Sequence, residues 1–194
     1  MSIRILGGLA KSRSLFVPKG QTIRPTSVLL KRRIFDSIQD LSPYCFWDLC
    51  AGTGSIGLEA WSRGARKVFL QESKKEVFRY LKKNAEEIQK GYQEEALKRP
   101  ISVSCINVEK WFSSLGSCAG LGNDIFFLDP PYELHNLYKN IGLGLLGMLD
   151  ESQQLWIESD KDKGLPLEFW TQQGHEPHKV FKQGGSYLAL FAKR

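Results

Sequence analysis

Cysteine and histidine are scarce in this sequence of 194 residues, which has four of the first and three of the second. The cysteines lie far apart, without CxxC spacing or nearby histidines, so we expect reduced thiols and neither a zinc site nor a disulfide framework. They are Cys45, Cys50, Cys105 and Cys118. We therefore predict no metal centre.

Long apolar runs are also missing. Stretches such as residues 125–128 are far too short to span a bilayer, and the N-terminus has no apolar run of signal-peptide length. Apolar residues make up 42% and charged residues 25% of the chain, as in soluble globular proteins, which argues against disorder. The composition predicts a cytoplasmic protein with no membrane partner.

Acidic residues are absent before Asp36, although the net charge of the whole chain is only +6. Eight cations lie in the first 35 residues: Arg4, Lys11, Arg13, Lys19, Arg24, Lys31, Arg32 and Arg33. A polyanion would gain affinity from them because each phosphate contact releases condensed counterions. The alternative is a solvated basic tail.

Short apolar segments in this region favour a folded element over a tail. Ile3 and Ile5 lie on one side of Gly7-Gly8 and residues 15–17 on the other, as in a hairpin. We predict a basic N-terminal β-hairpin arm over residues 1–25 and one domain over residues 26–194, the size expected at about 150 residues per domain. The domain begins with a helix capped by Thr26 or Ser27.

Strands alternate with helical patterns through the middle of the chain, which predicts an α/β fold with a mostly parallel sheet. The predicted strands cover residues 44–49, 68–70, 101–106, 124–128 and 155–157, with helices to residue 63 and over 74–90 and 108–115. Residues 91–100 are polar and predict a helix end followed by a loop. Residues 178–181 and 187–191 flank Gly184-Gly185 and predict a C-terminal antiparallel hairpin.

A glycine-rich turn follows the first predicted strand of the domain. Gly52, Gly54 and Gly57 form GxGxxG at the start of a helix, and Glu72 lies twenty residues after Gly52 near the end of the next strand. The glycines allow a tight turn and close approach of a ligand, while the acid accepts hydrogen bonds from ribose hydroxyls. This spacing fits a dinucleotide enzyme and an S-adenosylmethionine enzyme equally well.

Asp48 separates these two cofactors. It lies four residues before Gly52, where its carboxylate would repel a pyrophosphate but stabilise the sulfonium and ammonium of S-adenosylmethionine. The alternative is that Asp48 only caps the adjoining turn.

Asp129-Pro130-Pro131-Tyr132 follows the buried strand over residues 124–128, so it emerges at the ligand-binding edge of the sheet. A side-chain oxygen of Asp129 and the carbonyl of Pro130 can each accept an N–H of an exocyclic amine, which directs the nitrogen lone pair at a methyl group. Prolines remove competing donors, and Tyr132 can stack on the base. The alternative is a strand terminator with a surface tyrosine.

These segments resemble a known family. Residues 129–132 are similar to the [DNS]PP[YFW] motif of amino methyltransferases, and residues 48–54 to their cofactor motif. Four further segments resemble the bacterial 16S rRNA (guanine-966) N2-methyltransferases: 24–26, Lys31 with 34–35, 57–60 and 62–65. The resemblance covers nearly the whole chain and weakens over residues 91–123 and 145–175.

The resemblance implies a Rossmann-like class I methyltransferase with a mostly parallel seven-stranded sheet, a C-terminal antiparallel hairpin and a small N-terminal hairpin and helix extension. It implies S-adenosylmethionine as cofactor, held by Asp48, Ala51, Gly52, Thr53, Gly54, Glu72, Ser73, Asn107 and Val108, with Glu72 on the ribose and Asn107-Val108 beside the adenine. It assigns the target guanine to Asp129, Pro130, Pro131 and Tyr132.

The expected partner is 16S rRNA within a small-subunit assembly particle, contacted by Arg4, Lys11, Arg13, Arg24 and Thr26, with the protein acting as a monomer. The chain departs from the family pattern in two places. Val28 and Arg32 stand where relatives usually have acidic residues, and Asn107-Val108 replaces the commoner acid-containing adenine motif.

Other functions stay open at this point. The tetrapeptide recognises an amino group, so adenine N6 or cytosine N4 in RNA or DNA are alternative targets. An NAD-dependent oxidoreductase fits the glycine turn, but none of His135, His175 and His178 is placed at a strand end to supply its chemistry. An idle RNA-binding domain would have no use for residues 129–132.

Overall fold

The computed structural model describes residues 3–18, 28–38, 40–114 and 122–193. Arg24, Thr26, Ser27 and Cys118 lie outside the described residues, as does the predicted domain boundary between residues 25 and 26.

Seven strands of the described chain form one sheet in the order β5-β4-β3-β6-β7-β9-β8. Their bounds are β3 Cys45–Asp48, β4 Lys67–Gln71, β5 Ile101–Ser104, β6 Asp124–Leu128, β7 Gln154–Asp160, β8 Lys179–Gln183 and β9 Ser186–Ala192. The first five strands of this order are parallel, while β9 is antiparallel to both β7 and β8. The predicted fold class, a mostly parallel sheet with a C-terminal hairpin, is confirmed.

Helices follow most of the parallel strands. They are α1 Val28–Asp36, α2 Gly57–Ser62, α3 Lys75–Gly91, α4 Gln93–Lys98, α5 Val108–Ser114, α6 His135–Leu137, α7 Leu143–Met148 and α8 Leu167–Gln172, with a π-helical turn over Tyr138–Gly142. Residues 91–100, predicted as a helix end and a loop, are more helical than expected, because α3 ends at Gly91 and is followed by α4. A tertiary contact stabilises it: Arg99 Nη1 donates to the Trp61 carbonyl at 2.7 Å, and Trp61 Nε1 donates to the Arg99 carbonyl at 2.6 Å.

Residues of β6 alternate between two hydrophobic cores, one on each face of the sheet, because successive side chains of a strand point to opposite faces. Ile125 and Phe127 belong to the core that includes Leu58 of α2, whereas Phe126 and Leu128 belong to the opposite core. All five residues of β6 are buried. This strand is therefore held rigidly on both sides just before residues 129–132.

The predicted N-terminal hairpin is present as β1 (Ile3–Arg4) paired antiparallel with β2 (Ser14–Leu15). It packs against α2 and α3 through hydrogen bonds from backbone N–H groups: Leu6 to Glu59 Oε2 at 2.7 Å, and Phe16 to Asn84 Oδ1 at 2.7 Å. Ile5, Ala10 and Leu15 are buried in the same core as α2. The described hairpin is thus packed tightly against α2 and α3.

A buried ion pair joins α1 to α2 through Glu59, the residue that also accepts from Leu6 N of the hairpin. The Nζ of Lys31 lies 3.2 Å from Glu59 Oε2, and Arg63 Nε donates to Glu59 Oε1 at 2.8 Å. Lys31 is 3% exposed and Glu59 is fully buried, and burial lowers the pKa of Lys31 despite the attraction of Glu59. Removing one partner would strand a buried charge, a change that typically costs about 3–5 kcal/mol of stability.

Candidate active site

A cleft of about 1000 Å³ lies where the parallel strands end. Its lining includes most of the predicted site residues: Asp48, Ala51, Gly52, Thr53, Glu72, Ser73, Asn107, Val108, Asp129, Pro130, Pro131 and Tyr132. The loops that follow β3, β4, β5 and β6 contribute to it, as expected for an open α/β sheet, in which ligands bind beyond the carboxyl ends of the strands. The two motifs therefore face one cavity, which is large enough for a nucleoside ligand.

The glycine turn between β3 and α2 needs glycine at two positions for different reasons. Gly52 has φ +56° and a Cβ there would meet no atom within 4 Å, so the backbone is open to a ligand. Gly54 has φ +90°, and a Cβ there would lie 2.8 Å from Leu81 Cδ1 and 3.0 Å from Leu58 Cδ1. Gly54 is outside the residues that line the cleft, so it shapes the turn from behind.

Asp48 ends β3 with its side chain buried, 1% exposed. Its Oδ2 accepts a hydrogen bond from Gly57 N at 2.9 Å, so the carboxylate caps the start of α2 while it lines the cleft. Burial, together with the charges of Asp129 and Glu72, raises the pKa of Asp48 to about 7, although the Gly57 hydrogen bond opposes this rise. A cation bound in the cleft would stabilise the ionised carboxylate of Asp48, which burial disfavours.

Glu72 follows β4 and holds the opposite side of the glycine turn. Its Oε2 accepts from Gly52 N at 3.1 Å, and its Oε1 accepts from Lys74 N at 2.7 Å. The side chain is half-buried, and burial raises its pKa. Each carboxylate oxygen has a further lone pair, which suits it to hydroxyl donors such as those of a ribose.

Asn107 and Val108 follow β5 and form the start of α5. Asn107 Oδ1 accepts from Glu109 N at 2.7 Å, so the side chain caps this helix. Val108 is buried in the core that also contains Trp111. The two residues predicted to flank the adenine are thus an apolar side chain, Val108, and a neutral helix cap, Asn107.

Asp129 is half-buried at the exit of β6, with Pro130 buried and Pro131 exposed behind it. Tyr132 is only 5% exposed, and its hydroxyl lies 2.9 Å from Ser186 Oγ in β9. The tyrosine therefore has a fixed ring that borders the cleft, unlike the exposed surface tyrosine of the alternative interpretation.

Sequence reasoning missed Tyr138. Its hydroxyl donates to the carbonyl oxygens of Pro130 at 3.0 Å and of Glu158 at 2.9 Å, and the residue is fully buried. It stands in the π-helical turn, whose period no helix or strand pattern represents. No signal in one sequence would have found it. Three cations at the cleft, Lys74, Lys75 and Lys163, were also not foreseen.

The predicted RNA contacts Arg4, Lys11 and Arg13 are exposed and lie outside the cleft lining, although Ile3 of the same hairpin is part of it. The Arg13 guanidinium lies 5.5 Å from the ring centroid of Tyr92, beyond the end of α3. The structure brings the hairpin close to the cleft, with its charges outside.

Among the described residues, no group of three or more histidine, cysteine, aspartate or glutamate side chains is arranged to hold a metal ion. In the same part of the chain, no helix has both the length and the apolar character needed to cross a membrane.

The architecture and the cleft define a class I methyltransferase, with a glycine turn after β3 and a reversed strand in the last hairpin. A family model described as conserved hypothetical protein 95 matches residues 3–191, and the chain belongs to this family. It is similar to the ribosomal RNA small subunit methyltransferase D of Haemophilus influenzae, with 30% identity over 87% of this chain and 85% of the relative.

Two further comparisons agree. The protein of the same name in Escherichia coli K12 is 30% identical over 84% of this chain and 78% of that protein. The solved structure of a hypothetical protein from Thermus thermophilus superimposes with a TM-score of 0.72 at 25% identity, covering 98% of this chain and 99% of that one. The resemblance noted from the motifs is confirmed at the level of the family.

Proposed function

We propose that this protein methylates the exocyclic N2 amine of a guanine in 16S rRNA, with S-adenosylmethionine as methyl donor. The observation that carries the proposal is the convergence of the glycine turn and Asp129–Tyr132 on a single cleft. The names of the curated relatives support an rRNA substrate. Position 966 of 16S rRNA, the target that the family resemblance implies, is the proposed nucleotide.

The residues present fit the donor. Asp48 is a buried carboxylate whose pKa of about 7 makes its charge costly, and the sulfonium and ammonium of the donor would offset this cost. Ala51, Gly52 and Thr53 would pack along the methionine part, Glu72 and Ser73 would accept the ribose hydroxyls, and Asn107 and Val108 would flank the adenine. When bound, the donor supplies a methyl group on a positively charged sulfur.

Asp129 and Pro130 would position the acceptor. An oxygen of Asp129 and the carbonyl of Pro130 accept one N–H each from the guanine amine, which draws the nitrogen out of conjugation with the base. The amine nitrogen, held in this way, would take the methyl group that the donor supplies while the methyl–sulfur bond breaks, and its surplus proton would pass to water. Tyr132 would contact the base with the part of its ring that borders the cleft.

We propose that the RNA backbone contacts Arg4, Lys11 and Arg13 of the hairpin, together with Arg24 and Thr26 outside the described residues. Helix α3 extends this basic surface, because Arg79 and Lys83 are exposed and one turn apart. Lys83 Nζ lies 3.8 Å from the ring centroid of Phe16 in the hairpin. The proposed substrate form is a small-subunit assembly particle, on which the protein acts as a cytoplasmic monomer.

The decisive experiment is transfer of a labelled methyl group to three substrates: bulk RNA, small-subunit particles from a strain that lacks this activity, and DNA. Digestion to nucleosides and mass identification of the product would follow. We expect N2-methylguanosine from RNA and no labelled product from DNA. N6-methyladenine or N4-methylcytosine would move the function to another amino methyltransferase, and absence of transfer to every substrate would refute the proposal.

A further inference from the structure

The chain has few backbone hydrogen-bond donors just after β6, where it enters the site. The pairing of β6 with β7 ends at Leu128 opposite Ile157, and the chain continues into Pro130 and Pro131, which have no backbone N–H. Strand β7 continues beyond this point, from Glu158 to Asp160, along β9. The buried carbonyl of Glu158 in β7 therefore needs a hydrogen-bond donor that the chain after β6 does not supply.

Tyr138 supplies that donor from a different element. Its hydroxyl lies 2.9 Å from the Glu158 carbonyl oxygen and 3.0 Å from the Pro130 carbonyl oxygen, so its single proton is shared between β7 and the segment just beyond β6. Burial raises the pKa of Tyr138 strongly, so the hydroxyl keeps its proton at every working pH. π-Helical turns such as the one that starts at this residue are frequent at functional sites.

The direction of the Pro130 carbonyl is the quantity that this contact controls. The ring of Pro130 fixes its φ, and the following Pro131 confines its ψ to the extended region, so the carbonyl direction can vary only within that range of ψ, about 40° wide. A carbonyl oxygen has two lone pairs, so the tyrosine hydroxyl can occupy one and leave the other for a ligand. Without that hydroxyl, ψ of Pro130 could change within this range, which is enough to turn the carbonyl oxygen away from its present direction.

We propose that Tyr138 is a positioning residue for methyl transfer: its hydroxyl fixes the Pro130 carbonyl so that the second lone pair of the oxygen is directed at the target amine. This inference rests on the proposed function, in which Pro130 accepts one amine N–H. It adds to that function a residue that never touches the base or the donor.

Tyr138→Phe removes the hydroxyl and keeps the ring, and Tyr187→Phe is the matched control. Tyr187 is also buried in the same core, and its hydroxyl donates to the Leu165 carbonyl at 2.7 Å and accepts from Trp170 Nε1 at 2.9 Å. Both variants therefore lose a buried, doubly bonded hydroxyl, and both should show a lower Tm. Only the first loss occurs at the Pro130 carbonyl.

We expect Tyr138→Phe to lower kcat for methylation by about 10- to 100-fold, the effect of a misplacement of up to 1 Å in a reacting group. KM for RNA and Kd for the donor should stay within about twofold, because neither ligand contacts this residue. Tyr187→Phe should leave kcat within about twofold. An equal fall in kcat in both variants, or none in Tyr138→Phe, would overturn the inference.

A second measurement is independent of the substrate. The sequence contains a single Pro-Pro pair, so labelling only proline with carbonyl ¹³C and with ¹⁵N gives one directly bonded ¹³C–¹⁵N pair, the carbonyl of Pro130 with the nitrogen of Pro131. Loss of the hydrogen bond should move this carbonyl resonance in Tyr138→Phe and leave it in place in Tyr187→Phe.

The two arms separate this inference from the proposed function. If the wild-type protein methylates no RNA while the resonance moves only in Tyr138→Phe, the function is wrong and the control of the carbonyl by Tyr138 stands. If RNA is methylated normally and the resonance is unchanged in Tyr138→Phe, the function stands and the positioning role is refuted.

Discussion

Replacing Asp48 with asparagine removes a charge from the cleft and keeps the shape of the side chain. The asparagine Oδ1 can still accept the hydrogen bond from Gly57 N that Asp48 Oδ2 accepts at 2.9 Å. The cap of α2 is therefore retained. Any change in stability or in donor affinity then reports the carboxylate charge itself.

The expected gain in stability of the ligand-free protein follows from the raised pKa. The pKa of Asp48 rises from 3.8 in the unfolded chain to about 7 in the folded protein, mainly because of burial. The stability that protonated Asp48 gives the folded protein, relative to its ionised form, is thus fully present below pH 3.8 and is lost as the pH rises through about 7. At about 1.4 kcal/mol per pKa unit, the carboxylate costs about 4 kcal/mol at pH 8, a cost that Asp48→Asn removes.

Denaturant unfolding of both proteins between pH 4 and pH 8 measures this difference. The two free energies of unfolding should nearly coincide at pH 4, and the variant should become the more stable protein as the pH rises. Donor affinity should change in the opposite direction. Calorimetry should show S-adenosylmethionine bound about tenfold more weakly by the wild type at pH 6 than at pH 8, because a proton competes for the carboxylate.

Asp48→Asn should bind the donor weakly at both pH values, with no such dependence. Asp124→Asn is the control, because Asp124 is also buried with a raised pKa but lies at the opposite, amino end of β6, where it accepts from Trp47 Nε1. This control should leave donor affinity unchanged. A variant at position 48 that is less stable than the wild type at pH 8, or that binds the donor equally well, would refute the reasoning.

Three further outcomes are expected. Asp129→Ala should lower the methyl-transfer rate by about 10²–10³ with little change in donor Kd, and near wild-type turnover would mean that another residue positions the amine. A triple variant with Arg4→Gln, Lys11→Gln and Arg13→Gln should bind RNA of every sequence more weakly. The log–log slope of its affinity against salt concentration should fall by roughly one unit for each phosphate that is no longer neutralised. A gel-shift titration that shows no change would mean that these cations only face solvent. Arg79→Gln with Lys83→Gln should also weaken RNA binding, more than Lys82→Gln with Lys90→Gln, whose lysines pair with Glu86 and Glu87 on the same helix.

The packing of the hairpin decides which of these experiments is informative about RNA. Deleting residues 1–20 would remove three buried side chains from the main core, Ile5, Ala10 and Leu15. Such a truncation would change stability together with RNA binding. Charge substitutions on the exposed cations leave the core intact, so they test the docking of RNA alone.

The sequence by itself determined the fold class and the location of the cleft. Alternation of strands and helices favours a parallel sheet, and the carboxyl ends of parallel strands meet at one edge. Asp48 ends one such strand and Asp129 follows another, so their convergence was predictable without coordinates. The glycines at positions 52 and 54 were also predictable as parts of a tight turn, and both have positive φ.

Tertiary structure alone decided the state of the groups in the cleft. The pKa of Asp48 depends on burial by β-strands far away in the chain and on Asp129 and Glu72, which no local pattern represents. Arg99 at the end of α4 bonds to Trp61, and Tyr138 at the start of the π-helical turn donates to the Pro130 carbonyl, and both contacts join segments far apart in the sequence or in different elements. Local sequence patterns encode periodicity and chain direction, whereas burial and side-chain partners arise only when distant segments pack together.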